Sequence, residues 1–153
     1  MKDVWNMDDR MAPGVGVGRV LIVDDDETIR EATRSVLSAA GHVVVGEAAG
    51  GQRAVALADL HLPDVVILDL RMPDLDGQEA TRRIRSRHPE IQVVVMSAFG
   101  DPESVRRCLD AGAVEHVAKG TGASALREAV ARAVAIARTS RSRGGNGGGA
   151  GGP

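Results

Sequence analysis

Residues that could handle a phosphate group follow four short hydrophobic runs of this sequence. They are the pair Asp24-Asp25, Asp69, Ser97 and Lys119, each preceded by aliphatic residues. Buried parallel strands read as near-continuous aliphatic runs, and open α/β sheets bind ligands outside the carboxyl ends of their strands. The pattern therefore predicts that three carboxylates, a hydroxyl and an ammonium group gather at one edge of a sheet.

The three carboxylates predict a site for a divalent cation. Clustered like charges repel more strongly as solvent is excluded, so such a cluster persists when a cation compensates it. Oxygen ligands at the rim of a sheet suit Mg²⁺, which keeps several waters and favours one or two carboxylates plus phosphate oxygens. A carboxylate beside this ion could attack phosphorus in a small phosphodonor or a phosphohistidine. Lys119 would then offer a positive charge to the phosphoryl group, and Ser97 a hydrogen bond.

The elements that must position these residues alternate between strand and helix. Aliphatic runs predict strands near 19–24, 43–45, 65–68, 91–96 and 114–118, and segments with helical spacing follow each of them. Five such units with short links imply an α/β fold, with a parallel sheet covered on both faces by helices. Five strands fit the flavodoxin-like doubly wound order 2-1-3-4-5, in which the first and third strands are neighbours. Asp24-Asp25 and Asp69 would then meet.

The ends of the chain differ in composition from its centre. Residues 1–18 read as a flexible leader, polar at first and then rich in glycine. Residues 139–153 read as a disordered tail because they contain a long glycine-rich stretch. The folded unit is therefore predicted at about 19–138, with its last helix at about 123–138 and with Asp101 capping the helix before it.

Composition narrows the class of protein. The chain has 153 residues, 43% of them hydrophobic, and a formal net charge of -2, which argues against direct nucleic-acid binding by this chain. Cys108 is the single cysteine, so an internal disulfide is excluded and a reducing compartment is favoured. No apolar run reaches the roughly 18 residues of a membrane span, and no secretory signal is present. We therefore expect a cytoplasmic protein that does not contact the membrane.

Several motifs together resemble one known family. They are the run Val23-Asp24-Asp25-Asp26, the phrase from Asp69 through Met72-Pro73 to Asp76-Gly77, Ser97-Ala98 after a hydrophobic strand, and Lys119 near the end. In order, element and spacing they resemble the receiver domain of two-component response regulators. The resemblance covers about residues 19–138. It implies a phosphorylation-dependent switch with intrinsic autophosphorylation and autodephosphorylation, and not an enzyme that turns over an external substrate.

The resemblance implies a role for each site residue. Asp69 matches the phosphoacceptor, which would receive its phosphoryl group from a sensor histidine kinase. Asp25, Asp24 largely through water, Asp69 and the backbone carbonyl of Arg71 match the Mg²⁺ ligands. Ser97 matches the hydroxyl that moves toward the phosphoryl group, and Lys119 the lysine that pairs with it. A downstream protein partner of unknown identity would bind the altered helical surface, and a homodimer is possible.

Two departures from the family pattern concern the output. His116 stands where the family usually has an aromatic switch residue, and Gly120 stands where proline commonly follows the lysine. The stretch from Lys119 to Ala123 is instead similar to regulators that carry a helix-turn-helix output domain. The first hypothesis is therefore a stand-alone receiver, and the alternative is the receiver of a DNA-binding transcription regulator whose output domain is missing from this chain.

Other interpretations of the motifs compete with the receiver hypothesis. Asp74-Leu75-Asp76-Gly77 resembles the nucleophile motif of aspartyl-nucleophile phosphohydrolases, although Arg71-Met72-Pro73 separates it from the preceding strand. A constitutive binding module with a vestigial site is a third hypothesis. For Asp26 a helix cap is favoured over a metal ligand, and for Cys108 a place in the core.

Overall fold

A computed structural model describes residues 17–98 and 102–150 of the chain, with side chains described as far as residue 142. The leader residues 1–16, the predicted cap Asp101 and the last three residues lie outside this part. The strands are β1 (Arg19–Val23), β2 (Val43–Ala48), β3 (Val65–Asp69), β4 (Gln92–Ser97) and β5 (Glu115–Ala118). The helices are α1 (Glu27–Ala39), α2 (Gly51–His61), α3 (Gly77–Arg87), α4 (Pro102–Asp110) and α5 (Ala123–Ala150).

The five strands form one parallel sheet in the order β2-β1-β3-β4-β5. This confirms the predicted flavodoxin-like arrangement. Because β1 and β3 are hydrogen-bonded neighbours, with Val23 opposite Leu68, the residues that follow β1 lie beside Asp69 at the end of β3. The switch point between the two directions of winding therefore coincides with the predicted site.

Alternate side chains of the three central strands, β1, β3 and β4, enter two separate cores. On β4, Val93 and Val95 belong to a core that includes residues of α2, α3 and α4, whereas Val94 and Met96 belong to a core that includes residues of α1 and α5. Cys108 is fully buried in the first of these cores, as predicted. Strands that are covered on both faces carry few polar residues, which is why the sequence shows near-continuous aliphatic runs.

Aspartates begin two of the helices that adjoin the site. The Asp26 carboxylate accepts hydrogen bonds from the backbone N–H groups of Thr28 and Ile29, which confirms its prediction as a cap. The Asp76 carboxylate accepts one from the N–H of Glu79 at the start of α3. Such caps satisfy N–H groups that have no partner within the helix, so they fix where each loop ends.

The carboxyl end of the chain differs from the sequence prediction. Helix α5 continues to Ala150, whereas a helix end near residue 138 and a disordered tail were expected. Five of the residues at 143–150 are glycines, and each glycine in a helix interior costs about 1 kcal/mol relative to alanine. The boundary of the folded unit at 138 therefore stays a prediction. Within the described residues, none of the helices combines the length and the apolar character needed to cross a membrane.

Candidate functional site

The structure brings together the three carboxylates that were predicted to meet. Asp24 and Asp25 follow β1, and Asp69 is the last residue of β3. One oxygen from each carboxylate lies within 4.8 Å of the other two. Asp24 and Asp69 are buried and Asp25 is exposed, so the cluster opens to solvent on the side of Asp25.

Asp24 is held in place through its backbone and its side chain. Its N–H extends the sheet by donating to the carbonyl of Ala48, and its carbonyl accepts from Nη1 of Arg30 at 2.7 Å. Its Oδ1 accepts from the N–H of Asp26 at 2.9 Å. These bonds leave Oδ2 directed at Lys119, so the orientation of this carboxylate is fixed before any ligand binds.

Lys119 lies between the two buried carboxylates. Its Nζ is 2.9 Å from Oδ2 of Asp24 and 3.1 Å from Oδ1 of Asp69. The residue directly follows β5, and its N–H donates to the carbonyl of Ser97 at 2.7 Å, which ties it to the end of β4. The ammonium group therefore neutralises part of the charge that accumulates at the edge of the sheet.

The charges of the site perturb one another. Burial raises the pKa of Asp69, the nearby Asp24 carboxylate raises it further, and the bond from Lys119 opposes both without cancelling them. For Lys119, burial lowers the pKa, but the hydrogen bonds to Asp24 and Asp69 outweigh it and the net direction is upward. One ammonium group is thus too little to balance two buried carboxylates, and the cluster favours an additional cation.

A cavity of about 270 Å³ lies above the cluster. It is lined by Asp25, Asp69, Leu70, Arg71, Ser97, Ala98 and Lys119. The N–H of Arg71 points at Oδ1 of Asp69 over 3.5 Å, which is long for a hydrogen bond. All residues predicted for the site except His116 and Asp24 therefore border one cavity, and Asp24 contacts the lining residue Lys119.

The remaining predicted residue contacts the site through Ser97. The Ser97 hydroxyl, which is buried, lies 2.7 Å from Nε2 of the exposed His116. The two residues lie on adjacent strands, since β4 pairs with β5. His116 is therefore a partner of the site residue Ser97 and does not border the cavity itself.

Comparison with known proteins identifies the family. The chain matches the response regulator receiver domain over residues 20–131. It belongs to that family. The response regulator protein VraR of Staphylococcus aureus is 41% identical over 113 residues, which make up 73% of this chain and 54% of VraR. The chain thus spans about half the length of the curated relatives it matches.

Solved structures agree with the family assignment. The signal receiver domain of NarL from Mycobacterium tuberculosis is 36% identical with a TM-score of 0.71, over 77% of this chain and 96% of that domain. A two-component response regulator of the LuxR family from Aurantimonas is 30% identical with a TM-score of 0.72, over 78% of this chain and 86% of that chain. The resemblance that the motifs indicated is confirmed.

Asp74 and Asp76 have structural roles in this receiver domain. The two oxygens of Asp74 accept from the N–H groups of Gly51 and Gln52 at the start of α2, at 2.9 and 3.1 Å. Asp76 caps α3, as described above. A nucleophile must face the reacting phosphorus, and both carboxylates are turned to helix ends instead. The phosphohydrolase hypothesis therefore loses the motif on which it was based.

Sequence reasoning missed Arg30 and the structural role of Asp74. Arg30 holds the Asp24 carbonyl and is itself 3.5 Å from Oε1 of Glu47. Asp74 fastens the loop between β3 and α3 to α2. Neither residue follows a hydrophobic run, and the contact of Asp74 with the start of α2 joins residues more than 20 positions apart.

Proposed function

We propose that this chain is the phosphoacceptor module of a two-component system, in which Asp69 receives a phosphoryl group from a phosphohistidine of a sensor histidine kinase. The observation that carries the proposal is the position of Asp69. Its carboxylate is buried at the switch point, borders an open cavity, and shares Lys119 with Asp24. The histidine kinase is proposed from the family, because its phosphohistidine is the donor that such a site accepts.

The transfer is a displacement at phosphorus. An oxygen of Asp69 forms the new P–O bond while the P–N bond of the phosphohistidine breaks, and the departing imidazole nitrogen takes up a proton from solvent. Lys119 stays paired with Asp24 and attracts the new negative charge on Asp69. The Ser97 hydroxyl, at the rim of the same cavity, donates a hydrogen bond to a phosphoryl oxygen.

The donor set fits Mg²⁺. Three carboxylates whose oxygens lie within 4.8 Å of one another provide hard oxygen ligands at a solvent-exposed rim, and the site retains net negative charge after pairing with Lys119. We assign Asp25, Asp69 and the backbone carbonyl of Arg71 as ligands, with Asp24 acting largely through water. Bound Mg²⁺ would neutralise charge on the equatorial phosphoryl oxygens.

The wider protein is proposed to be a regulator with a separate output domain. The chain covers 54% of VraR, and the Aurantimonas relative is described as a LuxR-family response regulator. Phosphorylation adds a charge of about -1.5 to -2 to Asp69. This charge would shift the conformation of the surface formed by α4, β5 and α5, and the downstream partner would bind the shifted surface. Because the stretch from Lys119 to Ala123 is similar to regulators that carry a helix-turn-helix output domain, DNA binding is proposed for a part of the regulator outside this chain.

Phosphorylation can be tested by intact-mass analysis after incubation with acetyl phosphate and Mg²⁺. We expect wild type to gain about 80 Da, the mass of one phosphoryl group, and Asp69→Asn to gain none. Asp110→Asn, at the exposed end of α4, is the matched control and should behave as wild type. An unmodified wild type, or an equal gain in Asp69→Asn, would refute the assignment of Asp69.

A further inference from the structure

The register of β4 and β5 explains why Ser97 and His116 meet. In the parallel pair, His116 lies opposite Val95, and side chains that lie opposite one another share a face of the sheet. Ser97 is two residues beyond Val95 and therefore lies on the same face. The short distance of 2.7 Å between the Ser97 hydroxyl and Nε2 of His116 is a consequence of the strand pairing.

The Ser97 hydroxyl has one proton to donate. A phosphoryl oxygen on Asp69 is an acceptor without a proton of its own, so it needs the proton of Ser97. A neutral imidazole with a bare Nε2 also accepts, and it then requires the same proton. The phosphoryl group and His116 would compete for the single O–H group of Ser97.

We propose that His116 is a positioning residue that accepts a hydrogen bond from the Ser97 hydroxyl in the unphosphorylated protein and thereby restrains phosphorylation of Asp69. The inference rests on the proposed function. In this arrangement Nδ1 of His116 carries the ring proton and Nε2 is bare. Phosphorylation requires Ser97 to exchange its bond to His116 for a bond to the phosphoryl oxygen. His116 thus acts through Ser97 and not on phosphorus.

The hydrogen bond itself can be tested without phosphorylation. Nitrogen-15 NMR of the imidazole rings in the unmodified protein should show a bare Nε2 and a protonated Nδ1 for His116. The Nε2 signal should shift when Ser97 is replaced by alanine. A neutral ring protonated on Nε2, or a signal that ignores Ser97→Ala, would overturn the proposal even if Asp69 is phosphorylated normally.

The competition is tested by the rate of phosphorylation from acetyl phosphate and Mg²⁺. His116→Phe keeps a ring but cannot accept a hydrogen bond, so the Ser97 hydroxyl is released. The rate of phosphorylation should then rise roughly two- to tenfold, the equivalent of one ordinary hydrogen bond. His116→Gln offers an amide oxygen as acceptor and should return the rate toward that of wild type. His61→Phe, on α2, is the control and should leave the rate unchanged.

A double-mutant comparison separates this mechanism from a change in packing. In the Ser97→Ala background there is no hydroxyl to release, so His116→Phe should have no effect on the rate. An equal acceleration with and without Ser97, or no acceleration in either, would overturn the proposal. Loss of phosphorylation in every variant and in wild type would instead contradict the role of Asp69, and the NMR result would still decide whether the hydrogen bond exists.

Discussion

The Asp69 carboxylate is destabilising until a cation or a phosphoryl group changes its surroundings. Burial and Asp24 raise its pKa above the unfolded value near 3.9, so the folded state binds this proton more tightly than the unfolded state. The free energy of unfolding then falls as the pH rises from about 3.9 through the raised native pKa. At neutral pH the full cost of the ionised carboxylate is present.

Asp69→Asn should therefore stabilise the metal-free protein at neutral pH. The amide has nearly the same shape but no charge, and we expect the free energy of unfolding to rise by on the order of 1 kcal/mol at pH 7. Urea denaturation of both proteins in the presence of a chelator gives this difference. A variant less stable than wild type would show that the bond from Lys119 outweighs burial and the repulsion by Asp24.

Magnesium should reverse the order of stability. An ion that binds only the folded state raises the free energy of unfolding by about 2.7 kcal/mol when its concentration is 100 times its dissociation constant. Because Asp69→Asn lacks one carboxylate of the cluster, it should gain less at the same concentration. Asp110→Asn serves as the control and should gain as much as wild type.

Among the elements, the strands could be predicted closely and the long-range contacts between loops and helices could not. β3 and β4 are buried on both faces, so their limits lie within one residue of those predicted from the aliphatic runs. β2 was predicted at 43–45 but extends to Ala48, because pairing with β1 continues through Gly46 and Glu47, which lack an aliphatic side chain. The loop after β3 was recognised, but its attachment to α2 by Asp74 depends on packing that no local pattern reports.

Asp74→Ala should loosen this loop and the start of α2 together. The change removes the acceptor of the Gly51 and Gln52 N–H groups, and these bonds also hold the pKa of Asp74 below its usual value. We expect a lower urea midpoint and faster amide hydrogen exchange at Gly51 and Gln52. Asp110→Ala removes an exposed aspartate at a helix end and should leave both quantities unchanged. Protection at Gly51 equal to that of wild type would contradict the capping role.

His42 at the start of β2 should make stability depend on pH. It is buried, and its Nδ1 accepts from the N–H of Gly18 at 3.0 Å. Burial lowers its pKa below 6.5, and the nearby Asp64 carboxylate offsets part of that effect. As the pH falls below about 6.5, the unfolded state takes up the proton first. The free energy of unfolding should then decrease, by at most about 1.4 kcal/mol per pH unit.

His42→Asn removes this titration while keeping an acceptor for Gly18. Its free energy of unfolding should change less than that of wild type as the pH falls from 6.5 toward the lowered native pKa. His61→Asn, at the end of α2 and only partly buried, is the control and should retain the slope of wild type. Identical slopes for His42→Asn and wild type would mean that His42 does not couple folding to pH.

At the scale of the whole molecule, the site depends on strand order more than on any local segment. Residues from the ends of four strands converge because the order 2-1-3-4-5 places β1, β3, β4 and β5 side by side. The strand count and the motifs were sufficient to predict this convergence. The hydrogen bond between Ser97 and His116 could not be predicted, because it depends on the register of β4 against β5. A shift of one residue in that register would place His116 on the opposite face of the sheet from Ser97.

Contacts made by α5 near residue 140 bear on the carboxyl-terminal boundary of the folded unit. Arg138 donates from Nη2 to the carbonyl of Val17, and Nη2 of Arg141 is 2.7 Å from Oδ1 of the buried Asp64. Asp64 in turn accepts from the N–H of Arg19 at 2.8 Å, so these contacts join α5 to the start of β1. Arg141 lies beyond the predicted boundary at 138. If its pair with Asp64 contributes to the fold, the folded unit is a few residues longer than the composition indicates.

Truncation at two positions distinguishes the two boundaries. A chain that ends after residue 138 leaves Asp64 without Arg141 and should lose about 1–3 kcal/mol of unfolding free energy, less than a fully buried pair because Arg141 is partly exposed. A chain that ends after residue 142 should match the full chain in urea denaturation. In the Asp64→Asn background the two truncations should be equally stable, since the charge that needs Arg141 is gone. Equal stability of both truncations with Asp64 present would place the boundary at 138 and leave the ion pair without a stabilising role.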